Sequence, residues 1–195
     1  VTERIGNINL GTLYSQSGSI NLTTLTGSIL DGLNHDYANI VASSAIRLVA
    51  IGGSVGEMSV VNGESIVTDY VEFELSSVGY IDINASEDVA LKQVAGSMNV
   101  KLVEAGGDVD LWANLAILDT IDSDGSRVAS VGAGNSAALG LADVIGENVS
   151  LHAELGTIGI SGQDFDVDSD AGSNTTDHGV LTTSSYGNSY IIETE

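Results

Sequence analysis

The chain has 195 residues, 43% of them hydrophobic, and it contains neither cysteine nor proline. That hydrophobic content excludes a mainly disordered tail, and the lack of cysteine excludes disulfides and thiolate metal sites. The 27 acidic residues against 5 Lys and Arg give a formal net charge of −22. We therefore expect no nucleic-acid partner, because nucleic acids are polyanions. We also expect no membrane insertion, since the sequence has no apolar run of about 18 residues.

A short phrase recurs near the start of the chain, in which a glycine precedes alternating polar and apolar residues. It reads GNINL at 6–10, GSINL at 18–22 and GSILD at 27–31. Period-two alternation is typical of a strand with one buried face, and the glycine allows a turn before it. Residues 31–44 break this rhythm and are predicted to form a loop or a short helical excursion. Residues 52–61 are predicted to resume the strand pattern.

The stretch 71–112 has the clearest pattern, with five short alternating segments that start at 71, 81, 89, 98 and 109. Alternate segments are separated by 17 to 20 residues, which predicts a repeating coil that contributes two strands per turn. The apolar positions are predicted to point inward, and they are Val71, Phe73, Ile81, Val89, Leu91, Met98, Val100, Val109 and Leu111.

The rhythm weakens over 119–141, which is predicted to be a second excursion, and it returns at 147–153, 156–160 and 164–169. A helical repeat would need a 3.6-residue period, and a leucine-rich repeat would need its LxxLxLxxN phrase. Neither occurs in the sequence. We therefore predict that residues 1–195 form one all-β solenoid segment, in which stacked coils bury Ile, Val, Leu and Phe.

Several of these phrases resemble the repeats of filamentous haemagglutinin-type large exoproteins, which are secreted adhesins of Gram-negative bacteria. The most specific similarity covers residues 148–169, and GNINL, GSINL, GSILDG and GGDVDLWA are also similar. The resemblance implies a right-handed parallel β-helix with about 20 residues per coil. It also implies an extracellular or bacterial cell-surface location.

Two groups of aspartates are candidate calcium ligands, because Ca²⁺ prefers carboxylate oxygens. In the first group, the aspartates alternate with Phe165 and Val167, so they are expected to share the outer face of a strand. This group contains Asp164, Asp166, Asp168 and Asp170, and the second contains Asp119, Asp122 and Asp124. The alternatives are a solvated acidic edge for the first group and an Asx turn before Gly125 for the second.

Paired carboxylates also allow a β-helix enzyme that cleaves polysaccharides. The pairs are Asp108 with Asp110 and Glu72 with Glu74, and their phase on the strands predicts that they face solvent. Five basic residues in the whole chain offer little to neutralise a uronic acid, so we expect no catalysis. The three histidines, His35, His152 and His178, have no metal-ligand spacing and are predicted to lie at the surface.

Three aromatic residues, Tyr70, Tyr80 and Trp112, occupy outward positions. They could stack on sugar rings, or they could pack across neighbouring coils. With 18 to 20 residues per coil, Glu74, Lys92 and Trp112 are expected on consecutive rungs, giving an ion pair followed by a cation–π contact.

These observations predict a structural or adhesive rod segment of a large secreted or cell-surface bacterial protein. Its partners would be a host or matrix glycan or protein surface, or further copies of itself. One alternative is a fibre subunit that assembles end to end by strand pairing. The other is the polysaccharide-cleaving enzyme.

Overall fold

The computed structural model describes residues 1–120, 142–169 and 179–194, and this part of the chain contains β-strands and no helix. The strands are β1 (Thr2–Glu3), β2 (Ile8–Leu10), β3 (Leu13–Ser15), β4 (Ile20–Thr24), β5 (Ile29–Asp31), β6 (Ile40–Ala42), β7 (Ala45–Ala50), β8 (Glu57–Val61), β9 (Glu64–Asp69), β10 (Val71–Leu75), β11 (Tyr80–Ala85), β12 (Val89–Ala95), β13 (Met98–Ala105), β14 (Val109–Ala113), β15 (Ile117–Asp119), β16 (Val144–Ile145), β17 (Val149–Ala153), β18 (Phe165–Asp168), β19 (Leu181–Ser185) and β20 (Ile191–Glu193).

Two long parallel sheets enclose the core. Sheet A has the order β1-β4-β7-β11-β13-β16-β18-β20, with β15 also paired to β13, and sheet B has the order β19-β17-β14-β12-β10-β6-β3. From β10 to β15, successive strands of the chain alternate between the two sheets, so the backbone winds in stacked coils. A parallel pair, β2 with β5, and an antiparallel pair, β8 with β9, complete the described strands. The predicted all-β parallel solenoid is confirmed.

The coil length is clearest in the middle of the chain. Val89 lies opposite Val109 in sheet B, and Asp82 receives a bond from Lys101 on the next rung of sheet A. These partners are 20 and 19 residues apart in the sequence. Coils without an excursion therefore have the predicted length.

The core is one continuous column of apolar side chains between the sheets. All nine residues predicted to point inward are at most 1% exposed, so this prediction is confirmed. The alternation fails in β13, because the register between β11 and β13 shifts after Ile81 and places Asp82 opposite Leu102. This bulge turns Val103 inward in place of Leu102, and Val103 is fully buried.

Residues 56–70 are an insertion into a strand that is continuous in the neighbouring coil. Val55 and Val71 lie opposite Val89 and Leu91, two positions of the single strand β12. The chain between them, including the β8–β9 hairpin, therefore occupies the place of one residue, Ala90.

The predicted excursion at 31–44 is a loop at 32–39 between β5 and β6, so its predicted C-terminal bound was wrong. Sheet pairing overrides the local polarity there, because Ile40 of β6 is fully buried opposite Leu13 and Phe73. The predicted excursion at 119–141 falls between β15 and β16, which both pair with β13. Residues 121–141 lie outside the described part of the chain.

Stacked glycines form one corner of the N-terminal coils. A Cβ atom on Gly27 would collide with the backbone carbonyl of Gly6, and one on Gly53 would lie 2.8 Å from the carbonyl oxygen of Gly27. The recurring Gly-Ser and Gly-Asn phrases therefore reflect close approach between successive rungs.

Candidate functional site

The outer face of sheet B is partly covered by the β8–β9 hairpin. Its strands are joined by Asn62 and Gly63, whose φ angles of 56° and 88° are both positive. Two such residues make a type I′ turn, for which Asn-Gly is the preferred pair. Residues 57–61 form a strand, as the pattern predicts, but it belongs to the hairpin and not to the coil, and Val60 is 73% exposed. The Asn62-Gly63 dipeptide was the signal that could have revealed the hairpin.

A groove of about 450 Å³ lies between the hairpin and sheet B. Its hairpin side is formed by Met58, Gly63, Glu64, Ser65 and Val67, and its floor by Asp108, Val109, Asp110, Asn148, Val149, Ser150, Val180 and Thr182. The floor residues come from three consecutive rungs of sheet B, which contain β14, β17 and β19. Among the described residues, the lining includes two aspartates and one glutamate but no Lys, Arg or His.

Asp108 ties the hairpin to the sheet. Its Oδ2 accepts a short hydrogen bond from the Ser65 hydroxyl of β9. Its Oδ1 accepts bonds from the backbone N–H of Asn148 at 3.1 Å and from the Asn148 amide at 2.7 Å. The carboxylate therefore holds two rungs and the hairpin together.

Asp110, two residues further along the chain and within β14, has a similar position. The Tyr70 hydroxyl donates to its Oδ1 at 2.9 Å. Burial raises the pKa of Asp110, while hydrogen bonds from Tyr70 and Ser150 oppose this shift. The pKa of Tyr70 is also raised, first by burial and then by the charge of Asp110.

The predicted solvent-facing position of the two carboxylate pairs was therefore wrong for three of the four residues. Asp108 and Asp110 are half-buried beneath the hairpin, and Glu72 is only 3% exposed, whereas Glu74 is exposed. The alternation correctly placed these side chains outside the core. It could not reveal that excursions cover them.

A column of side chains crosses the outer face of sheet B, one per rung, through Glu72, Lys92, Trp112 and His152. Lys92 Nζ lies 5.1 Å from the centroid of the Trp112 ring, so the predicted cation–π contact is confirmed. The His152 ring stacks on Trp112 with centroids 5.5 Å apart and an interplanar angle of 13°. Because neighbouring rungs cover both faces of Trp112, the column favours packing across rungs over sugar stacking.

The predicted ion pair between Glu74 and Lys92 was wrong. The register places Glu72 beside Lys92, and a shift after Phe73 sets Glu74 opposite Ala95. The carboxylate nearest to Lys92 Nζ is that of Asp36 in the 32–39 loop, at 3.6 Å. Lys101 shows a similar pattern on sheet A, because it bonds Asp82 at 2.9 Å and lies over the Tyr80 ring.

The 32–39 loop covers Glu72. The backbone N–H of Asn39 donates to the carbonyl of Glu72 at 2.8 Å, and the Asn39 side-chain oxygen accepts from the Glu72 N–H at 3.0 Å. The Asp31 carboxylate holds the loop by accepting bonds from the N–H groups of Leu33 and His35 and from the Asn39 amide. The loop is thus fastened at its start and its end.

The Glu72 carboxyl has an unusual environment. Its Oε2 is buried and has no hydrogen-bond partner among the described residues. Burial, followed by the charge of Asp31, raises the pKa of Glu72 to about 7, and Lys92 partly opposes this. Burial also raises the pKa of the neighbouring Asp69, with the Asp31 charge as the next cause. Glu72 is therefore an acid that can change its charge near neutral pH.

The aspartates of the first predicted calcium group do not share one environment. Phe165 and Val167 point inward as predicted, with no exposed surface. Asp164 is exposed, Asp166 is half-buried, and Asp168 is only 5% exposed rather than on an open outer face. In sheet A, β18 lies between β16 and β20.

In the second predicted group, Asp119 ends β15 and is half-buried. Asp122 and Asp124, like Asp170 of the first group, lie outside the described residues. Within residues 1–120, 142–169 and 179–194, no three acidic or histidine side chains converge in a way that could hold a metal ion. Calcium binding at either group stays a prediction.

Two of the three histidines lie in the described part of the chain, and both are half-buried. His152 is half-buried against Trp112, and His35 makes an edge-to-face contact with Tyr37 at 5.4 Å between ring centroids. His178 lies outside the described residues.

Comparison with protein-family models, with curated proteins and with solved structures found no match for this chain. In the part of the chain that the structure describes, no helix is long and apolar enough to cross a membrane. The candidate functional site is the outer face of sheet B, which is defined by the groove, the side-chain column and the covered Glu72.

Proposed function

We propose that this chain is a structural and adhesive rod segment of a large secreted or cell-surface bacterial protein that mediates attachment or matrix formation. The observation that carries the proposal is the continuity of the parallel ladders, which run from β1 to β20 over one unbroken apolar column. Each coil contacts only its neighbours, so length can be added without changing the cross-section. Such an architecture suits a scaffold that holds a surface at a distance.

The groove under the β8–β9 hairpin is the proposed contact surface. It combines hydroxyl, amide and carboxylate groups from three rungs with the apolar side chains of Met58 and Val67. A mixed polar and apolar cleft of this size is typical of small-ligand sites. No Lys, Arg or His of the described residues lines the groove, which disfavours anionic ligands, so the proposed partner is a neutral or amine-bearing glycan of a host or matrix surface.

An array of neutral, amine-bearing and sulfated oligosaccharides tests this proposal. We expect binding to neutral or amine-bearing members and none to sulfated ones. The decisive variant replaces residues 56–70 by one alanine, which reproduces the Val89-Ala90-Leu91 arrangement of the next rung. It should keep the strand signal in circular dichroism and lose binding. Ile66→Ser on the exposed side of the hairpin is the matched control and should bind normally.

Two results would overturn the proposal. One is a failure of the intact chain to bind any member of the array, and the other is binding that survives excision of the hairpin. Release of soluble sugar from the array would instead favour the enzymatic alternative.

A further inference from the structure

The covered carboxyl of Glu72 is not used by the proposed rod or by its groove. We propose that Glu72 is a proton-controlled latch for the 32–39 loop. When protonated, it stays buried beneath the loop. When ionised, it draws Lys92 away from Asp36 and Trp112, and the loop loses its contact with sheet B.

The protonated state fits the observed geometry. A neutral carboxyl tolerates burial far better than a carboxylate without a partner, and Glu72 Oε2 has no hydrogen-bond partner in the described part of the chain. The loop then closes over it through the paired bonds between Asn39 and the Glu72 backbone. Lys92 is left to contact Asp36 at 3.6 Å and the Trp112 ring at 5.1 Å.

The charged groups around Glu72 determine what happens when its carboxyl loses a proton. Asp31 lies at the end of β5, Asp69 at the end of β9, and Asp36 and His35 in the loop itself, while β12 contributes Lys92. Glu57 of β8 adds its charge beside Asp69. Loss of the proton places a new negative charge among carboxylates with one nearby ammonium group. Neighbouring like charges repel each other, so we expect the 32–39 loop to move.

Lys92 connects Glu72 with Trp112, whose fluorescence can report the change. Glu72, Lys92 and Trp112 are neighbours on consecutive rungs of sheet B. An ionised Glu72 competes with Asp36 for the ammonium group, because it is adjacent in register and less exposed to water. Asp36 is then released, and the cation–π contact with Trp112 is lost. The loop carries Tyr37, which is 77% exposed, so its release changes the outer face that the solenoid presents.

The chain supplies its own probe, because Trp112 is its only tryptophan. The experiment records Trp112 fluorescence from pH 5 to 9 together with hydrogen-exchange protection of the loop amides. Histidines titrate in the same range, so His35, His152 and His178 are replaced by glutamine in the background. We expect one transition with a midpoint near pH 7. Protection of the backbone amides at positions 33 and 35 should fall by about tenfold above it.

Two further variants separate the parts of the latch. Glu72→Gln should abolish both signals, whereas Glu74→Gln, an exposed change on the same strand, should keep both. Lys92→Met should abolish the fluorescence change but keep the loss of loop protection. Persistence of either transition in Glu72→Gln would overturn the proposal.

A direct titration covers the case in which Glu72→Gln does not fold. The side-chain carboxyl of Glu72 is followed by ¹³C NMR in the unmodified chain. A midpoint near 7 supports the latch, and a midpoint near the ordinary value of 4.5 rejects it. This outcome is independent of the glycan array, so failure of the latch and failure of the proposed rod are distinguishable.

Discussion

The central coils and the outer face of sheet B present side chains according to different rules. In β10 to β14, the period-two pattern determines which residues enter the core, except at the bulge in β13, and every apolar position predicted to point inward is buried. On the outer face, the same pattern places Glu72, Glu74 and Asp110 in equivalent positions, yet their exposure differs because excursions cover two of them. The pleat determines which face of the sheet a side chain points to, and contacts with residues distant in the sequence determine how exposed that side chain is. Four variants test this distinction.

The largest effect is expected in the core. Phe73 is 1% exposed between the two sheets, and Phe73→Ala should lower the free energy of unfolding by about 3–5 kcal/mol through lost burial and a cavity. Val78→Ala, at a side chain that is 84% exposed, should change it by less than about 0.5 kcal/mol. Urea denaturation of both variants measures the difference. Equal effects would contradict the assigned core.

The next effect concerns Glu72 and depends on pH. Its pKa is about 7 in the folded chain against an ordinary 4.5, so the folded state retains a proton that the unfolded state releases between these values. Stability contributed by Glu72 is therefore full below about pH 4.5 and falls until about pH 7. Relative to the parent, Glu72→Gln should gain about 2–3 kcal/mol between pH 4 and pH 8.

Thermal and urea unfolding at the two pH values measure this gain. Glu74→Gln on the same strand is exposed and should show no measurable difference at either pH. A Glu72→Gln variant whose stability relative to the parent did not change with pH would show that Glu72 is already ionised in the folded chain.

A smaller effect is expected at the glycine corner. Gly27→Ala should cost about 1–3 kcal/mol, because its Cβ would collide with the carbonyl of Gly6 and force the rungs apart. Gly11→Ala is the matched control, since no atom lies within 4 Å of the added Cβ and its φ is not positive. The midpoint of thermal unfolding distinguishes them. A neutral Gly27→Ala would mean that the coils can separate at this corner without penalty.

The smallest effect is expected at the hairpin turn. Gly63 has a φ of 88° and open space around it, so Gly63→Ala should cost only the backbone strain of about 1 kcal/mol. The loss should appear as reduced amide protection in β8 and β9, with the core strands unchanged. Loss of protection throughout the sheets would indicate that the hairpin is required for the solenoid.

Much of the architecture was predictable because each coil repeats a local pattern. The coil length, the inward residues of the central stretch and the cation–π contact of Lys92 with Trp112 all follow from alternation and a repeat of about 20 residues. The bulge that exchanges Leu102 for Val103 was not predictable, since both residues are apolar and only the register with β11 selects one. The partner of Lys92 was missed because Asp36 lies in a loop that is distant in the sequence and outside the repeating pattern.

The candidate site was less accessible to sequence reasoning. Tyr70 and Asp110 are 40 residues apart, and Ser65 and Asp108 are 43 apart, so no local pattern joins them. The Asn62-Gly63 turn could have revealed the hairpin, but not the rungs on which it lies. The raised pKa of Glu72 depends on burial by a loop more than thirty residues away, as the bond from Glu72 N–H to Asn39 indicates.

The place where the hairpin leaves the coil has a consequence for how such a chain can vary. Val55 and Val71 face Val89 and Leu91, so the ends of the inserted segment are as close as residues two apart on one strand. The geometry of the rungs therefore does not depend on the length of the segment inserted between these two residues. For a flexible insertion, doubling the length adds only about 0.6 kcal/mol of closure entropy. The outer surface can thus diversify at nearly constant stability while the coils beneath it stay the same.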